Sequence, residues 1–266
     1  AVIVVLGLSQ RLEGEEMPVK VDGFEGGDRT HLNLPKPQSE LIKALKTTGK
    51  PIVLVLLNGS AIAVNWENEN LDAILSAGYP GQEGGNAVAD VIFGDYNPAG
   101  RLPVTYYKSV EQLPAFDNYD MQGRTYRYFT GEPLYPFGYG LSYTTFKYSN
   151  LKIAGKAKAG EPVKVSVNVQ NTGKMAGDEV VQLYLKDEKA STPRPIHQLE
   201  GFKRISLNPG ETKTVEFELK PEQFSIIGKD DKPVTEPGWF TIWVGGGQPG
   251  TNGSNTVKGR IELTKK

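Results

Sequence analysis

The order of apolar and polar positions divides the chain into two textures. Up to about residue 145, unbroken apolar runs alternate with stretches of helical spacing, and beyond it apolar and polar residues alternate one by one. Ala1-Val2-Ile3-Val4-Val5-Leu6 and Ile52-Val53-Leu54-Val55-Leu56-Leu57 are unbroken runs, the pattern of central strands buried on both faces. Between them, Leu41, Ile42, Ala44 and Leu45 recur at helical spacing over 37–48, with Gly49 at the left-handed stop and Pro51 just beyond. The first strand ends at Gly7, and a polar loop runs from Ser9 to about Asn33. A short strand is predicted over 73–77 and a second helix over 84–93, ended by Gly94. Strands separated by helices imply a mainly parallel sheet covered on both faces.

After Asp95 come turn residues, Asn97 to Pro103, and then a long aromatic, Gly- and Pro-rich stretch from Tyr106 to Phe146 without helical period. Loops this long in a compact protein are usually functional or interface-forming. From about Lys147 the pattern is all-β. Val163, Val165, Val167 and Val169 alternate with polar residues, as do Val181, Leu183 and Leu185, then Val215, Phe217 and Leu219. Turn signals at Asn171-Thr172-Gly173, Asn208-Pro209-Gly210 and Glu236-Pro237-Gly238 separate them. The expected fold is α/β over 1–147, linker included, followed by an antiparallel immunoglobulin- or fibronectin III-like β-sandwich over 148–266.

Composition narrows the function classes. At 266 residues the chain suits two domains, and 38% apolar with 23% charged residues lets both bury a core. Thirty Lys plus Arg against 31 Asp plus Glu leave a net charge of −1, which argues against nucleic acid or an anionic membrane and favours a neutral substrate. No cysteine is present, so thiol catalysis, Cys-based zinc sites and disulfides are excluded. His31 and His197 are too distant in sequence to suggest a metal pair, and neither metal nor cofactor is expected. No apolar run reaches the roughly 18 residues of a membrane span. The apolar start at Ala1 lacks the positive charge of a signal peptide. A doubly buried strand at the first residue predicts a sheet neighbour outside this chain, so the sequence reads as part of a longer protein.

Candidate chemistry gathers after the first strand, where Glu13, Glu15, Glu16, Asp22, Glu25 and Asp28-Arg29 share one loop. In a parallel α/β sheet, ligands bind outside the carboxyl ends of the strands. Carboxylates massed there can raise one another's pKa until one stays protonated, as a general acid requires. A solvated acidic loop or a calcium site would show the same charges. Gly84-Gly85 before a helix lacks the phosphate-loop signature and reads as close packing.

Longer strings carry a resemblance. Gly7-Leu8-Ser9-Gln10-Arg11-Leu12-Glu13-Gly14-Glu15, Gly27-Asp28-Arg29, Tyr79-Pro80-Gly81-Gln82-Glu83-Gly84-Gly85, the run from Gly94 to Thr105, Gly123 to Phe129 and Tyr135 to Tyr143 follow one another along the chain. In that order they resemble glycoside hydrolase family 3, covering its α/β sandwich and fibronectin III-like parts. The resemblance implies a retaining, exo-acting β-glucosidase whose Asp nucleophile sits on an N-terminal TIM-like barrel absent from this chain. A β-xylosidase and a non-catalytic carbohydrate-binding or adhesion module are the alternatives. The implied substrate is an oligosaccharide or β-glucoside, in a periplasmic or secreted setting, and a homodimer stays open. The β-xylosidase-like form of the motif places the acid/base at Glu15, and the β-glucosidase-like form places it at Glu16. The strand-anchored match favours Glu15. Glu13, Asp28 and Arg29 are candidates for contact with sugar hydroxyls, with loop anchoring a competing role for Asp28-Arg29. The aromatic run Tyr126 to Tyr143 is expected to strap the domains together rather than to stack on sugars.

Overall fold

The computed structural model describes residues 1–153 and 155–265. Their contacts fall into two compact units. One comprises residues 1–95, 104–124 and 130–135, and the other 96–103, 125–129 and everything from 136 onward.

The first unit is built on a three-stranded parallel sheet of order β1-β5-β6. Strand β1 is Val2–Gly7, β5 is Ile52–Leu57 and β6 is Ala73–Ser76. Between β1 and β5 lie a meander of three two-residue strands, β2 (Lys20–Val21), β3 (Phe24–Glu25) and β4 (Asp28–Arg29), and helix α1 (Lys36–Lys46). Helices α2 (Asn65–Asn70) and α3 (Gly84–Phe93) flank β6 in sequence. Strand β5 is the central, fully covered one, with Ile52, Leu54, Val55 and Leu56 all buried, as its unbroken apolar run demands. Among the described residues strand β1 pairs only with β5, and its Ile3 and Val5 are about half exposed.

Helix α1 begins on a proline pair, whose fixed φ suits the first turn, and carries Lys43 and Lys46 at its carboxyl end. It stops two residues before the expected end because the Thr47 and Thr48 hydroxyls donate to the carbonyls of Ala44 and Leu45 at 2.7 Å. These bonds satisfy acceptors that further helix would have used. Helix α2 carries no apolar period; its Trp66 packs against the core under the Lys43 ammonium, 5.6 Å from the ring. The meander lies inside what the polar pattern marks as loop. It forms around Phe24, which is buried with Val4, Leu8 and Leu34.

The second unit is a fibronectin III-like sandwich. Its three-stranded sheet has order β12-β9-β7, with β7 at Phe146–Ile153, β9 at Val163–Asn171 and β12 at Thr212–Leu219. Its five-stranded sheet has order β11-β10-β15-β16-β8. Here β8 is Lys156–Lys158, β10 Gly177–Asp187, β11 Gln198–Leu207, β15 Gly238–Gly245 and β16 Val257–Thr264. A small hairpin, β13 (Ile226–Ile227) with β14 (Pro233–Val234), lies apart. The alternating valines of β9 point inward against Val181, Leu183 and Leu185 of β10 and Ile242 and Val244 of β15. One pairing departs from the antiparallel expectation: β8 runs parallel to β16, with Lys156 opposite Glu262 and their charges 3.1 Å apart. The chain has there left the first sheet after Ile153 and joined the far edge of the second.

Strand β10 is covered on both faces. Its second face carries Gln182 and Tyr184, and the aromatic stretch lies over them within this unit. The Tyr126 ring, in the short helix α4 (Thr125–Tyr128), stacks on Phe137 at 4.1 Å and meets Tyr184 edge-on. Tyr135, by contrast, packs in the first unit against Tyr106. The stretch is thus divided between the two units.

His197 sits in this aromatic layer, edge-on to Tyr184 at 5.5 Å and beside Trp243. Burial, with Lys186 adding to it, pulls its imidazole down to about 4 from the ordinary 6.5. Between those values the unfolded chain takes up a proton that the folded sandwich refuses. Stability contributed by the neutral imidazole is therefore present above 6.5, falls as pH drops through the window, and levels off below about 4. The loss should be on the order of 3 kcal/mol. Urea unfolding of the chain above and below the window should show it, and His197→Phe should remove that part of the pH dependence.

Candidate active site

All three parallel strands end on the same edge of the sheet, since Gly7 is opposite Leu57 and Leu56 opposite Ser76. The chain leaves β1 abruptly. Gly7 has φ +135, and a Cβ there would lie 2.0 Å from the Leu57 carbonyl oxygen, so only glycine fits. The Gln38 side chain bonds both backbone groups of Gly7, at 2.9 and 2.8 Å, and closes the open side of the strand end. A tight turn follows, in which the Ser9 carbonyl accepts from the amides of Leu12 (2.8 Å) and Glu13 (3.1 Å).

This turn carries Glu13 over the ends of the other two strands. Its Oε1 accepts from the Ser60 amide at 3.0 Å and from the Ser60 hydroxyl. Its Oε2 accepts from the Gly59 amide at 3.0 Å and from the Tyr79 hydroxyl. Partial burial would raise its pKa, but the four donors outweigh it and hold the carboxyl below the usual range. Burial, together with the same contact, pushes the Tyr79 phenol up to about 12.

Arg29 approaches from β4. Its guanidinium donates to Ser60 Oγ at 3.0 Å and to the carbonyls of His31 and Asn33 at 3.1 Å each, over the Phe24 ring. The Coulomb field of Glu13 acts on it. Glu13, Asp28, Arg29, Ser60, Tyr79 and Gln10, with the backbones of Gly14, Gly27 and Gly59, line an open concavity of about 440 Å³. The loop glutamates Glu15 and Glu16 stand two and three residues beyond Glu13 on an exposed turn and do not line that concavity. Glu16 takes a left-handed backbone, φ 49.

The meander backs this turn. The Met17 amide donates to the Gly26 carbonyl at 2.9 Å, and Gly27, at φ +93, faces the Gly14 carbonyl so closely that a Cβ would lie 1.5 Å from its oxygen. His31 closes the meander's far end, its Nε2 3.5 Å from Asp22 Oδ1.

Of the five candidates, then, Glu13, Asp28 and Arg29 share one concavity, while Glu15 and Glu16 occupy the turn beside it. The Arg29 contacts fit the anchoring role, and Asp28 is exposed at the rim. Tyr79, Ser60 and Gln10 were not singled out by charge pattern. Tyr79 and Gln10 lie inside the family strings, and Ser60 follows the Asn58-Gly59 turn at the end of β5. Among the described residues no three of His, Cys, Asp and Glu converge as cation ligands.

Residues 1–143 match the Glycosyl hydrolase family 3 C-terminal domain, and residues 179–248 match the Fibronectin type III-like domain. The chain belongs to glycoside hydrolase family 3. It is 48% identical over 245 residues to a xylan 1,4-beta-xylosidase of Xylanibacter ruminicola, covering 92% of this chain and 28% of the relative. It is 44% identical over 257 residues to a periplasmic beta-glucosidase of Salmonella typhimurium, covering 92% of this chain and 32% of that one. A solved β-glucosidase from Erythrobacter marinus superposes with a TM-score of 0.84 at 40% identity, over 98% of this chain and 34% of its own. The chain thus spans about a third of the length of these relatives.

Gly27→Ala should force the meander and the acidic turn apart, destabilising the fold by more than about 1 kcal/mol. Hydrogen exchange should report it as faster exchange at the Met17 amide, with protection retained in Ile52–Leu57.

Proposed function

We propose that this chain supplies the acid/base half of a retaining, exo-acting β-glycosidase, with Glu15 as the acid/base and Glu16 as its alternative. The observation that carries the reading is the environment of Glu13. Four donors keep that carboxylate ionised and fixed, so it is a poor proton donor. It also holds the turn bearing Glu15 and Glu16 at the ligand-binding edge of the sheet. On this reading an Asp on a barrel in the remaining two-thirds of the protein attacks the anomeric carbon, and Glu15 protonates the departing oxygen. Glu15, then a base, takes a proton from water that hydrolyses the glycosyl-enzyme. Two carboxyl groups roughly 5 Å apart suffice for this chemistry. Glu13, Asp28, Arg29 and Tyr79 give the adjoining concavity the polar lining that a neutral sugar calls for, with Asp28 at the rim as the group proposed to reach its hydroxyls.

Terminal β-linked glucose is the proposed sugar. The 48% identity to a xylan 1,4-beta-xylosidase favours β-xylose as a second reading. The ratio of kcat/KM for aryl β-glucoside and β-xyloside, measured on the complete enzyme that carries this chain, decides between them. Binding without turnover of either would support the non-catalytic module instead.

In that complete enzyme, Glu15→Ala should lower turnover of a glycoside with a poor leaving group by about 10² to 10⁴. The first step should suffer little with an activated phenolate, which departs without a proton, and azide should restore turnover by replacing water. Glu16→Ala should show neither effect. Azide rescue confined to Glu16→Ala would shift the assignment by one residue, and near-normal rates in both variants would remove this turn from the chemistry.

A further inference from the structure

We infer that Glu13 is the positioning residue of the acid/base turn: its carboxylate joins the ends of all three parallel strands and so sets where Glu15 stands. The inference rests on the reading of Glu15 as acid/base and adds a role for its neighbour that is neither sugar contact nor proton donation.

The geometry divides the possible roles. A carboxylate offers about four lone-pair directions. In Glu13 all four are engaged inside the chain, two per oxygen, by the amide and hydroxyl of Ser60, the amide of Gly59 and the hydroxyl of Tyr79. No acceptor site remains for a sugar hydroxyl unless one of these bonds breaks. The donors come from three places: Gly59 and Ser60 follow β5, Tyr79 follows β6, and Glu13 itself follows β1. Arg29 ties the meander to the same knot through Ser60 Oγ at 3.0 Å. Only Gly14 separates this knot from Glu15, and the Gly14 backbone is itself pressed against Gly27. A catalytic group displaced by about 1 Å can lose on the order of 10² in rate. Tethering a proton donor two residues from a fixed carboxylate is a direct way to prevent that displacement.

Glu13→Gln is the informative change. Whichever way the amide turns, its NH₂ group faces a backbone N–H, either that of Gly59 or that of Ser60. The hydroxyls of Ser60 and Tyr79 can rotate to accept, but the amide cannot. One strand-end contact is thereby lost while size and shape are kept. Tyr79→Phe is the second variant. Tyr79 is about half exposed, so the deletion of its hydroxyl leaves packing intact and weakens the same knot from the opposite side.

The experiment compares both variants with Glu15→Ala in the complete enzyme, using a glycoside with a poor alkyl leaving group and one with a dinitrophenolate. Glu13→Gln should reduce kcat/KM on the alkyl glycoside by about 10² and reduce it far less on the dinitrophenyl glycoside, whose kcat azide should restore where the misplaced base slows the second step. Tyr79→Phe should move in the same direction by less. An equal rise of KM on both substrates with kcat intact would make Glu13 a sugar-binding group and overturn the inference. An equal fall of kcat and of kcat/KM on both substrates, not relieved by azide, would reduce it to a general stabilising residue and overturn the inference. Leaving-group dependence in Glu15→Ala but not in Glu13→Gln rejects the positioning role alone. Its absence in Glu15→Ala, with or without dependence in Glu13→Gln, removes the acid/base assignment and the inference with it.

Discussion

Parallel strands put all their carboxyl ends on one edge, and the chain must depart from that edge through loops whose backbone groups have no ladder partner. In this protein the departures after β1, β5 and β6 are tied together by a single side chain. Glu13 accepts from the two amides that follow β5 and from the phenol that follows β6, so one carboxylate satisfies donors that would otherwise depend on water. Charge-assisted bonds of this kind are about twice as strong as neutral ones. The meander then stacks against the knot through Arg29 and Gly27, and the rest of the loop takes its place from there. The site is thus a loop made rigid at its base and left open at its turn.

The sandwich meets a comparable constraint with a buried ion pair. Arg101 reaches Glu179 of β10 at 3.1 Å, with both side chains almost fully buried. Burial raises the Glu179 pKa, and Arg101 together with the Tyr148 hydroxyl at 2.8 Å opposes that shift. A buried pair is weak evidence for net stability, because desolvation offsets much of the attraction. It is better evidence for register, since a removed partner would leave a buried charge alone. The pair, with Gln182 donating to the carbonyls of Gly138 and Gly246 at 3.1 Å, fixes the segments around Arg101 and Gly138 over the second face of β10.

How much of this the sequence displays depends on whether a contact is local. The strands β1, β5 and β9 and the helix α3 follow from apolar periodicity, because one face or both must be buried. The end of α1 was blurred because Thr47 and Thr48 have no apolar signal and act through hydroxyl caps. The meander was hidden because its strands are two residues long, shorter than any period can register, and its one apolar anchor is Phe24. Strand β10 declared its inner face through Val181, Leu183 and Leu185, but Tyr184 and Gln182 read as outward positions. They are buried only because residues far along the chain cover them. At the site, charge pattern marks the loop that lines the concavity and does not separate its glutamates.

That last failure has a physical cause that reaches beyond this loop. Glu13, Glu15 and Glu16 are one residue type within four positions, and their chemistry is decided by donors supplied from elsewhere in the fold. A glutamate surrounded by two backbone amides, a serine and a tyrosine becomes an ionised brace, whatever its neighbours in sequence do. One on an exposed turn takes its surroundings from whatever second surface closes over it. In the proposed enzyme that surface belongs to the part of the protein that carries the nucleophile. The acid/base would then be completed by burial against it and would owe its direction to the brace at its root. The same separation explains why the brace must not itself be a proton donor. If Glu13 were protonated it would lose acceptor capacity toward Gly59 or Ser60, and the turn would loosen under the acidic conditions that keep a general acid protonated.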